Sequence, residues 1–167
     1  FEYGAFCPIF RLHGKRLPYD TVNKQKDYDA FLPSCGDNEI WSFGEKAYEI
    51  MKKYIFLRER LKPYILKQMF HAHQEGTPVM RPLIYDFYKD VETFDIGDEY
   101  MFGPDILVAP VIEQHANARK VYLPKGALWT DAWTNEEYEG GQWIQKEADI
   151  DCIPLYLKNG VKLPIQE

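Results

Sequence analysis

The stretch HAHQEGTPVMRPL, residues 71–83, marks the point where the pattern of the sequence changes. Glycine adopts the left-handed conformation that commonly ends a helix, and a proline shortly afterwards cannot continue it. Gly76 and Pro78 therefore predict a helix end. Apolar residues recur with a helical period before this point and form short runs after it, which predicts two halves, residues 1–76 and 77–167.

A long helix is predicted before Gly76. Ser42 and Glu45 have the spacing of a capping box, in which each side chain satisfies a free backbone N–H of the first turn. Pro63 predicts a kink or a restart of the helix, because its ring clashes with the carbonyl four residues earlier. Apolar residues at steps of four and three predict one buried face; they are Phe43, Ala47, Ile50, Tyr54, Leu57 and Leu61.

The polar residues of this helix have ordinary interpretations. The charged run Arg58, Glu59 and Arg60 predicts a solvated helix face. His71 and His73 are two residues apart, which places them about 200° apart around a helix, so they cannot chelate one metal ion together.

The second half predicts an antiparallel β-sandwich. Its apolar runs are broken by Gly, Pro, Asn and Asp every ~8–12 residues, the spacing of a small sandwich. The predicted strands are Val79–Phe87, Glu99–Phe102, Ile106–Ile112, Lys120–Leu123, Leu128–Trp133, Gln142–Lys146, Ile153–Leu157 and one near Val161–Leu163. The polar segment Lys15–Gly36 predicts an irregular surface loop.

Composition argues against several classes of protein. The formal net charge of -6 does not favour nucleic-acid binding, which needs clustered Lys and Arg. No apolar run approaches the roughly 20 residues of a membrane-spanning helix. Cys7, Cys35 and Cys152 are odd in number and widely spaced, so neither a disulfide framework nor a metal site is indicated, and we expect no cofactor.

A cytoplasmic location is the simplest expectation, and the start at Phe1 without a methionine predicts a fragment of a longer chain.

The stretch FCPIFRLHG, residues 6–14, predicts a buried strand that ends in polar groups. Arg11 and His13 either bind a ligand or only terminate the strand, and the residues alone leave both interpretations open. One strand, a loop and a helix cannot enclose a core, and Ile55 and Phe56 lie outside the main apolar stripe of the helix. These surfaces therefore require a further packing partner.

Four ordered segments resemble one known family. FCPIFRLHG, RERLKPYILKQMFHAHQEGTPVMRPL, EYMFGPDILVAPV and IPLYLKNGVKLP are similar to segments of glycoside hydrolase family 31, which contains retaining α-glucosidases and α-xylosidases. The resemblance implies an α+β fragment: the last strand and helix of a catalytic (β/α)8 barrel over residues 1–76, with the strand at Phe6–Phe10, and an antiparallel β-sandwich domain over residues 77–167. The remainder of the barrel would then cover the unpartnered apolar surfaces.

The same resemblance implies a function. The parent protein is expected to hydrolyse terminal α-linked glucose or xylose from oligosaccharides. His13 matches a histidine that hydrogen-bonds sugar hydroxyls, and Arg11 matches an arginine that contacts the sugar or pairs with barrel carboxylates. A retaining glycosidase needs two carboxylates, and the resemblance places both upstream of Phe1, so the isolated chain is expected to be inactive. The triplet Cys35, Gly36 and Asp37 is rejected as the acid/base site, because no tryptophan stands two residues before its glycine.

Two alternatives remain open. Trp129, Trp133 and Trp143 could stack on sugar rings, which would make residues 77–167 a carbohydrate-binding module without catalysis. The spacing of LWTDAW places Trp129 and Trp133 on the same strand face, which fits a sandwich core as well. An independent scaffold domain would instead be monodisperse, whereas a fragment with open apolar surfaces would self-associate.

Overall fold

The computed structural model describes residues 1–12 and 38–165. The helices are α1 (Glu2–Ala5), α2 (Glu45–Glu75) and α3 (Leu83–Phe87), and short 3₁₀ helices cover Ile40–Phe43 and Val91–Phe94. The strands are β1 (Met80–Pro82), β2 (Tyr100–Phe102), β3 (Ile106–Val108), β4 (Ala118–Leu123), β5 (Leu128–Asp131), β6 (Glu137–Glu139), β7 (Gln142–Glu147) and β8 (Leu155–Lys158). Within the described ranges, no helix combines the length and apolar character that a membrane crossing requires.

Helix α2 ends where the sequence predicts and begins differently. Gly76 has a φ of 70°, and its N–H donates to the Ala72 carbonyl at 3.1 Å, so the left-handed helix end is confirmed. The helix continues through Pro63 without a restart. The capping box is wrong: Ser42 lies in the preceding 3₁₀ helix and its hydroxyl donates to the Glu39 carboxylate at 3.2 Å, which leaves Gly44 as the N-cap residue.

The larger sheet has six antiparallel strands in the order β1-β2-β3-β8-β5-β6. Side chains alternate between its faces along each strand. One face packs against the buried residues of α2; it includes Tyr100, Phe102, Ile106, Val108, Leu155 and Leu157. The opposite face carries the second core cluster, with Met101, Leu107, Trp129 and Tyr156.

A second sheet covers that opposite face. It consists of β4 and β7, paired in antiparallel register with Val121 opposite Ile144. Val121, Tyr122 and Leu123 are buried against the six-stranded sheet, together with Leu83 from α3. The molecule therefore has three layers, with α2 and α1 on one side of the large sheet and the small sheet on the other.

Two strand predictions in the second half need correction, and one strand was missed. The run Val79–Phe87 divides into β1 and α3, because Pro82 has no N–H to extend the ladder and becomes the N-cap residue of the helix. The expected strand at Val161–Leu163 does not form; Asn159 and Gly160 have positive φ values of 53° and 70°, which turn the chain after β8. The edge strand β6 was not predicted, since its glutamates carry no apolar alternation.

The predicted strand at Phe6–Phe10 is also not a strand in this structure. One turn of helix, α1, ends at Ala5, and bends follow up to Ile9. A strand needs a neighbour that pairs with its backbone, and here the carbonyls of Cys7 and Pro8 bond instead to a helix side chain. Pro8 in addition has no N–H to donate.

The two tryptophans of LWTDAW lie in different clusters, so the prediction that they share a strand face is wrong. Trp129 is fully buried in the cluster below the small sheet, and its Nε1 donates to the Pro124 carbonyl at 3.0 Å. Strand β5 ends at Asp131, whose carboxylate accepts the N–H groups of Trp133 and Thr134. That turn directs Trp133 to the cluster beside α2.

A buried carboxyl, Glu99, joins the two sheets. It accepts the backbone N–H of Tyr122 at 2.9 Å and pairs with Arg119 at 3.2 Å, while its second oxygen has no partner among the described residues. Burial raises its pKa to about 8, and the bonds from Tyr122 and Arg119 oppose this shift without cancelling it.

We expect Gly103→Ala to destabilise the chain by about 1–3 kcal/mol. Gly103 has a φ of 63°, and a Cβ there would overlap the Tyr64 hydroxyl, which donates to the Phe102 carbonyl at 2.9 Å. Gly97→Ala is the matched control, because its Cβ would meet no atom of the described residues within 4 Å. Urea denaturation measures both variants, and equal losses in the two would contradict the role assigned to Gly103.

We expect Glu99→Gln to flatten the pH dependence of stability between pH 4.5 and about 8. The folded state binds the proton more tightly than the unfolded chain does, so the protonated carboxyl stabilises the fold below pH 4.5, and this contribution is lost as the pH rises to about 8. The slope is at most about 1.4 kcal/mol for each pH unit. Unfolding free energies measured across this range test the prediction, with the exposed Glu113→Gln as control; a slope that persists in the Glu99 variant would refute it.

Candidate functional site

Arg11 lies at the rim of an open cleft. The cleft has a volume of about 530 Å³, and Arg11 is the one charged side chain among the described residues that line it. The other lining residues are mostly apolar and include Tyr3, Ile9, Phe43 and Met51. His13 and the triplet Cys35, Gly36 and Asp37 lie outside the described residues.

The segment before Arg11 folds into a compact turn. The N–H groups of Ala5, Phe6 and Cys7 donate to the carbonyls of Phe1, Tyr3 and Gly4 at 3.0–3.2 Å. The Phe10 ring then folds back over the turn, packing edge-on against Phe1 with centroids 4.9 Å apart. A Cβ on Gly4 would come within 2.9 Å of that ring, so the close approach requires glycine.

Phe6 fixes this turn to the core. Its side chain is completely buried and packs edge-on against Tyr54 of α2 and Phe102 of β2, with ring centroids 6.4 and 6.3 Å away. The Tyr100 hydroxyl donates to the Phe6 carbonyl at 3.0 Å. The turn is therefore held by both the helix and the sheet.

Arg58 provides a second attachment and is not the solvated residue that the sequence predicts. Its guanidinium donates to the carbonyls of Ala5, Cys7 and Pro8 at 2.7, 2.8 and 3.1 Å. The same group lies 5.4 Å from the centroid of the Phe10 ring. Partial burial lowers the pKa of Arg58, since the charged form loses part of its hydration. The sequence contains a signal for this position: Arg58 directly follows Leu57, at the border of the apolar stripe.

A second and larger cleft separates the first residues from two loops of the sandwich. It has a volume of about 840 Å³, and Glu2 lines it together with residues 110–117 and 148–153 in part. Burial raises the pKa of Glu2 to about 7, and hydrogen bonding to Tyr54 and the charge of Lys53 counteract the rise. The Tyr54 hydroxyl also donates to the Asp151 carbonyl and accepts the N–H of Ile153. This group of residues joins α1, α2 and the sandwich, and no sequence pattern indicated Glu2.

The tryptophans offer little surface for stacking on a sugar. Trp129 is completely buried, which excludes it. Trp133 is half-buried, and its Nε1 donates to the Ile153 carbonyl at 2.7 Å. Trp143 on β7 is half-exposed, with its Nε1 bonded to Glu92 at 2.9 Å and its ring 5.2 Å from that of Tyr122. One exposed indole remains of the three residues that could have formed a platform.

Metal coordination is not indicated among the described residues. No group of three or more His, Cys, Asp or Glu side chains in residues 1–12 and 38–165 could hold an ion. His71 instead bonds to Glu75, one turn further along α2, at 3.1 Å, and His73 is exposed. Cys7 and Cys152 are free thiols.

The family models of glycoside hydrolase family 31 match both halves of the chain. The model described as the TIM-barrel domain of the family matches residues 1–68. The model described as the C-terminal domain of the family matches residues 76–161. The boundary expected between residues 76 and 77 stays a prediction, since neither match includes residues 69–75.

Relatives of known name match almost the whole chain. An alpha-xylosidase of Saccharolobus solfataricus is 36% identical over 165 residues, which is 99% of this chain and 20% of the relative. Alpha-glucosidase 2 of Bacillus thermoamyloliquefaciens is 41% identical over 159 residues, covering 95% of this chain and 18% of its own length. The crystal structure of an alpha-xylosidase of family 31 from a soil metagenome, complexed with xylose, superposes with a TM-score of 0.86 at 46% identity and covers 96% of this chain and 24% of that protein.

The chain thus spans about a fifth of the length of the curated relatives that it matches. The order of the two matches confirms the predicted fold class, the end of a barrel followed by an antiparallel sandwich. The chain belongs to glycoside hydrolase family 31.

Proposed function

We propose that this chain is part of a retaining α-glycosidase that releases terminal α-linked glucose or xylose from oligosaccharides. The observation that carries the proposal is the match of both family models in barrel-then-sandwich order. Relatives named alpha-xylosidase and alpha-glucosidase support both sugars equally. A non-catalytic carbohydrate-binding module is less favoured, because Trp129 is buried.

In this proposal Arg11 and His13 form part of the sugar pocket. Arg11 is exposed and lines the cleft. Its planar fork of donors suits sugar hydroxyls or a carboxylate beneath the sugar. His13 is two residues further along the chain and is assigned to the hydroxyls of the sugar in the subsite where the bond is cut.

The bond-breaking carboxylates belong, in this proposal, to earlier strands of the same barrel. A retaining mechanism needs a nucleophile and an acid/base about 5–5.5 Å apart on either side of the glycosidic bond. The chain alone would supply one wall of the pocket and the sandwich that supports it. It would accordingly hydrolyse no α-glycoside by itself.

The exposed side of α2 fits a packing partner of this kind. Phe56, Leu66 and Phe70 expose more than half of their side-chain surface along the helix, and Trp41 exposes 69% just before it. A row of large apolar groups on one helix is typical of an interface. We assign this face to the remainder of the barrel.

In the full-length enzyme, His13→Ala is expected to lower kcat/KM. The decrease should correspond to a loss of roughly 2–4 kcal/mol of transition-state stabilisation, by analogy with other preorganised donors. The physical reason is the loss of hydrogen bonds to hydroxyls that strengthen as the glycosidic bond breaks. Steady-state kinetics on aryl α-glucosides and α-xylosides measure the effect, and His115→Ala, at an exposed position in a loop of the sandwich, is the matched control. An unchanged kcat/KM in the His13 variant rules out this role.

The isolated 167-residue chain is expected to self-associate, because no described residue covers the apolar side of α2. Light scattering after gel filtration should show a mass above 19.7 kDa that falls towards the monomer in a Phe56→Glu, Phe70→Glu double variant. Val91→Glu is the control, since Val91 is also an exposed apolar residue but lies in the 3₁₀ helix Val91–Phe94 and not on α2. A monodisperse monomer at all concentrations would favour an independent scaffold domain instead.

A further inference from the structure

We propose that Arg58 is a positioning residue of the sugar pocket: its guanidinium holds the backbone of residues 5–8 and thereby sets the direction in which Arg11 enters the cleft. This inference rests on the proposed function, because it treats Arg11 as a pocket residue. The contacts between Arg58 and this segment do not depend on that function. Three bonds and one ring contact join a single helix side chain to a single short segment.

The geometry of the three bonds is unusually complete for one side chain. Nη1 donates to the carbonyls of Ala5 and Cys7, and Nη2 donates to that of Pro8. These carbonyls lie at the end of α1 and in the bend after it, where none of the described strands pairs with them. The planar fork of arginine can bond several carbonyls at once, which a lysine ammonium on a flexible stem cannot do with the same definition.

The contact with Phe10 extends this control to the residue before Arg11. The guanidinium lies over the Phe10 ring at 5.4 Å, and the ring is confined on its other sides by Phe1 and Gly4. Phe10 therefore has little freedom to move, and the backbone leaves the core from a fixed point. Arg11 is the next residue, so its starting position depends on the bonds that Arg58 makes.

Arg58 is bound to a rigid support. It lies in the middle of the 31-residue helix α2, next to Leu57 and three residues before Leu61, both of which are buried against the large sheet. A site is most precise when its groups are held by regular elements with packed side chains. Movement of the segment relative to the sheet would require breaking these bonds and leaving carbonyls and a partly buried charge unpaired.

Arg60 supplies a matched control on the same helix. Its guanidinium also donates to two backbone carbonyls, those of Pro164 and Ile165, at 3.2 Å each. Those carbonyls belong to the last described segment of the sandwich, away from the Arg11 cleft. Removing Arg60 thus deletes the same kind of bond without touching residues 5–8.

The first measurement is hydrogen exchange by mass spectrometry on the full-length protein and its variants. In the native turn the amides of Ala5, Phe6 and Cys7 are hydrogen-bonded, so protection is present to be lost. Arg58→Gln is expected to accelerate exchange in the peptide covering residues 1–12 by at least about tenfold. The reason is that loss of the Arg58 bonds raises the equilibrium constant for local opening of this segment by the same factor. Arg60→Gln should leave that peptide unchanged and accelerate exchange near residues 160–165.

The second measurement is steady-state kinetics on the same proteins. We expect Arg58→Gln to lower kcat/KM by about 10²-fold, the order of loss that follows a displacement of about 1 Å in a positioned group. The loss should fall mainly on kcat, because the pocket still binds the sugar but fits the transition state less well. Arg58→Lys should recover part of it, and Arg60→Gln should have wild-type kinetics. In a double-mutant cycle, Arg58→Gln should cost much less when Arg11 is already alanine.

The outcomes separate this inference from the proposed function. Unchanged exchange in residues 1–12 of Arg58→Gln overturns the positioning role, whatever the kinetics show. Faster exchange with unchanged kcat/KM overturns it as well, since the segment would then have no part in the pocket. If the wild-type protein hydrolyses no α-glycoside, the proposed function fails, while the exchange data still decide whether Arg58 holds the segment. Should Arg58→Gln not fold, Arg58→Lys carries both measurements.

Discussion

The packing of α2 against one face of the six-stranded sheet determines the position of the other parts of the chain. Tyr54, Leu57, Leu61 and Ile65 recur at helical spacing and are buried against strands whose inward residues recur at every second position. Each such side chain contributes about 1.5–3 kcal/mol through burial of apolar surface. The apolar side chains of α2 and of the sheet contact each other along only one stripe of the helix. This contact therefore also fixes the rotation of α2 about its own axis. The rotation in turn directs Arg58 to the first residues and Arg60 to the last described ones.

The elements that sequence reasoning predicts correctly are those determined by local chemistry. The helix end at Gly76 depends on a glycine in the left-handed region, which no neighbouring element has to supply. The predictions at Glu99–Phe102 and Gln142–Lys146 agree with β2 and β7 to within a few residues, because apolar and turn residues bound them. Family membership was likewise predictable, since it rests on the order of four segments and not on any contact.

The predictions that differ depend on contacts that distant residues decide. Residues 6–10 have the composition of a strand, yet the carbonyls of Cys7 and Pro8 bond to Arg58, some 50 positions along the chain. Trp133 has strand spacing from Trp129, but Asp131 accepts its N–H and ends the strand between them. The capping box fails for a similar reason: the Ser42 hydroxyl donates to the Glu39 carboxylate, and the Ser42 N–H donates to the Glu39 carbonyl instead of the Glu45 side chain. In each case a polar side chain satisfies a backbone or hydroxyl group that the pattern had assigned elsewhere.

The candidate site shows why charged residues within an apolar stripe need a different interpretation from those on an open helix face. A guanidinium placed between buried leucines must find acceptors, because its partial burial is costly without them. Arg58 finds them in a segment with unpaired carbonyls, and Glu99 and Arg119 solve the same problem between the two sheets. The Glu99–Arg119 pair and Arg58 differ in the part of the structure that each holds in place. The buried Glu99 pair joins two core elements, whereas Arg58 holds a turn that leads within three residues to the exposed Arg11. A rigid helix thus reaches the edge of the proposed pocket through one side chain, so the precision of the pocket depends on the packing of α2 as well as on the residues that face the sugar.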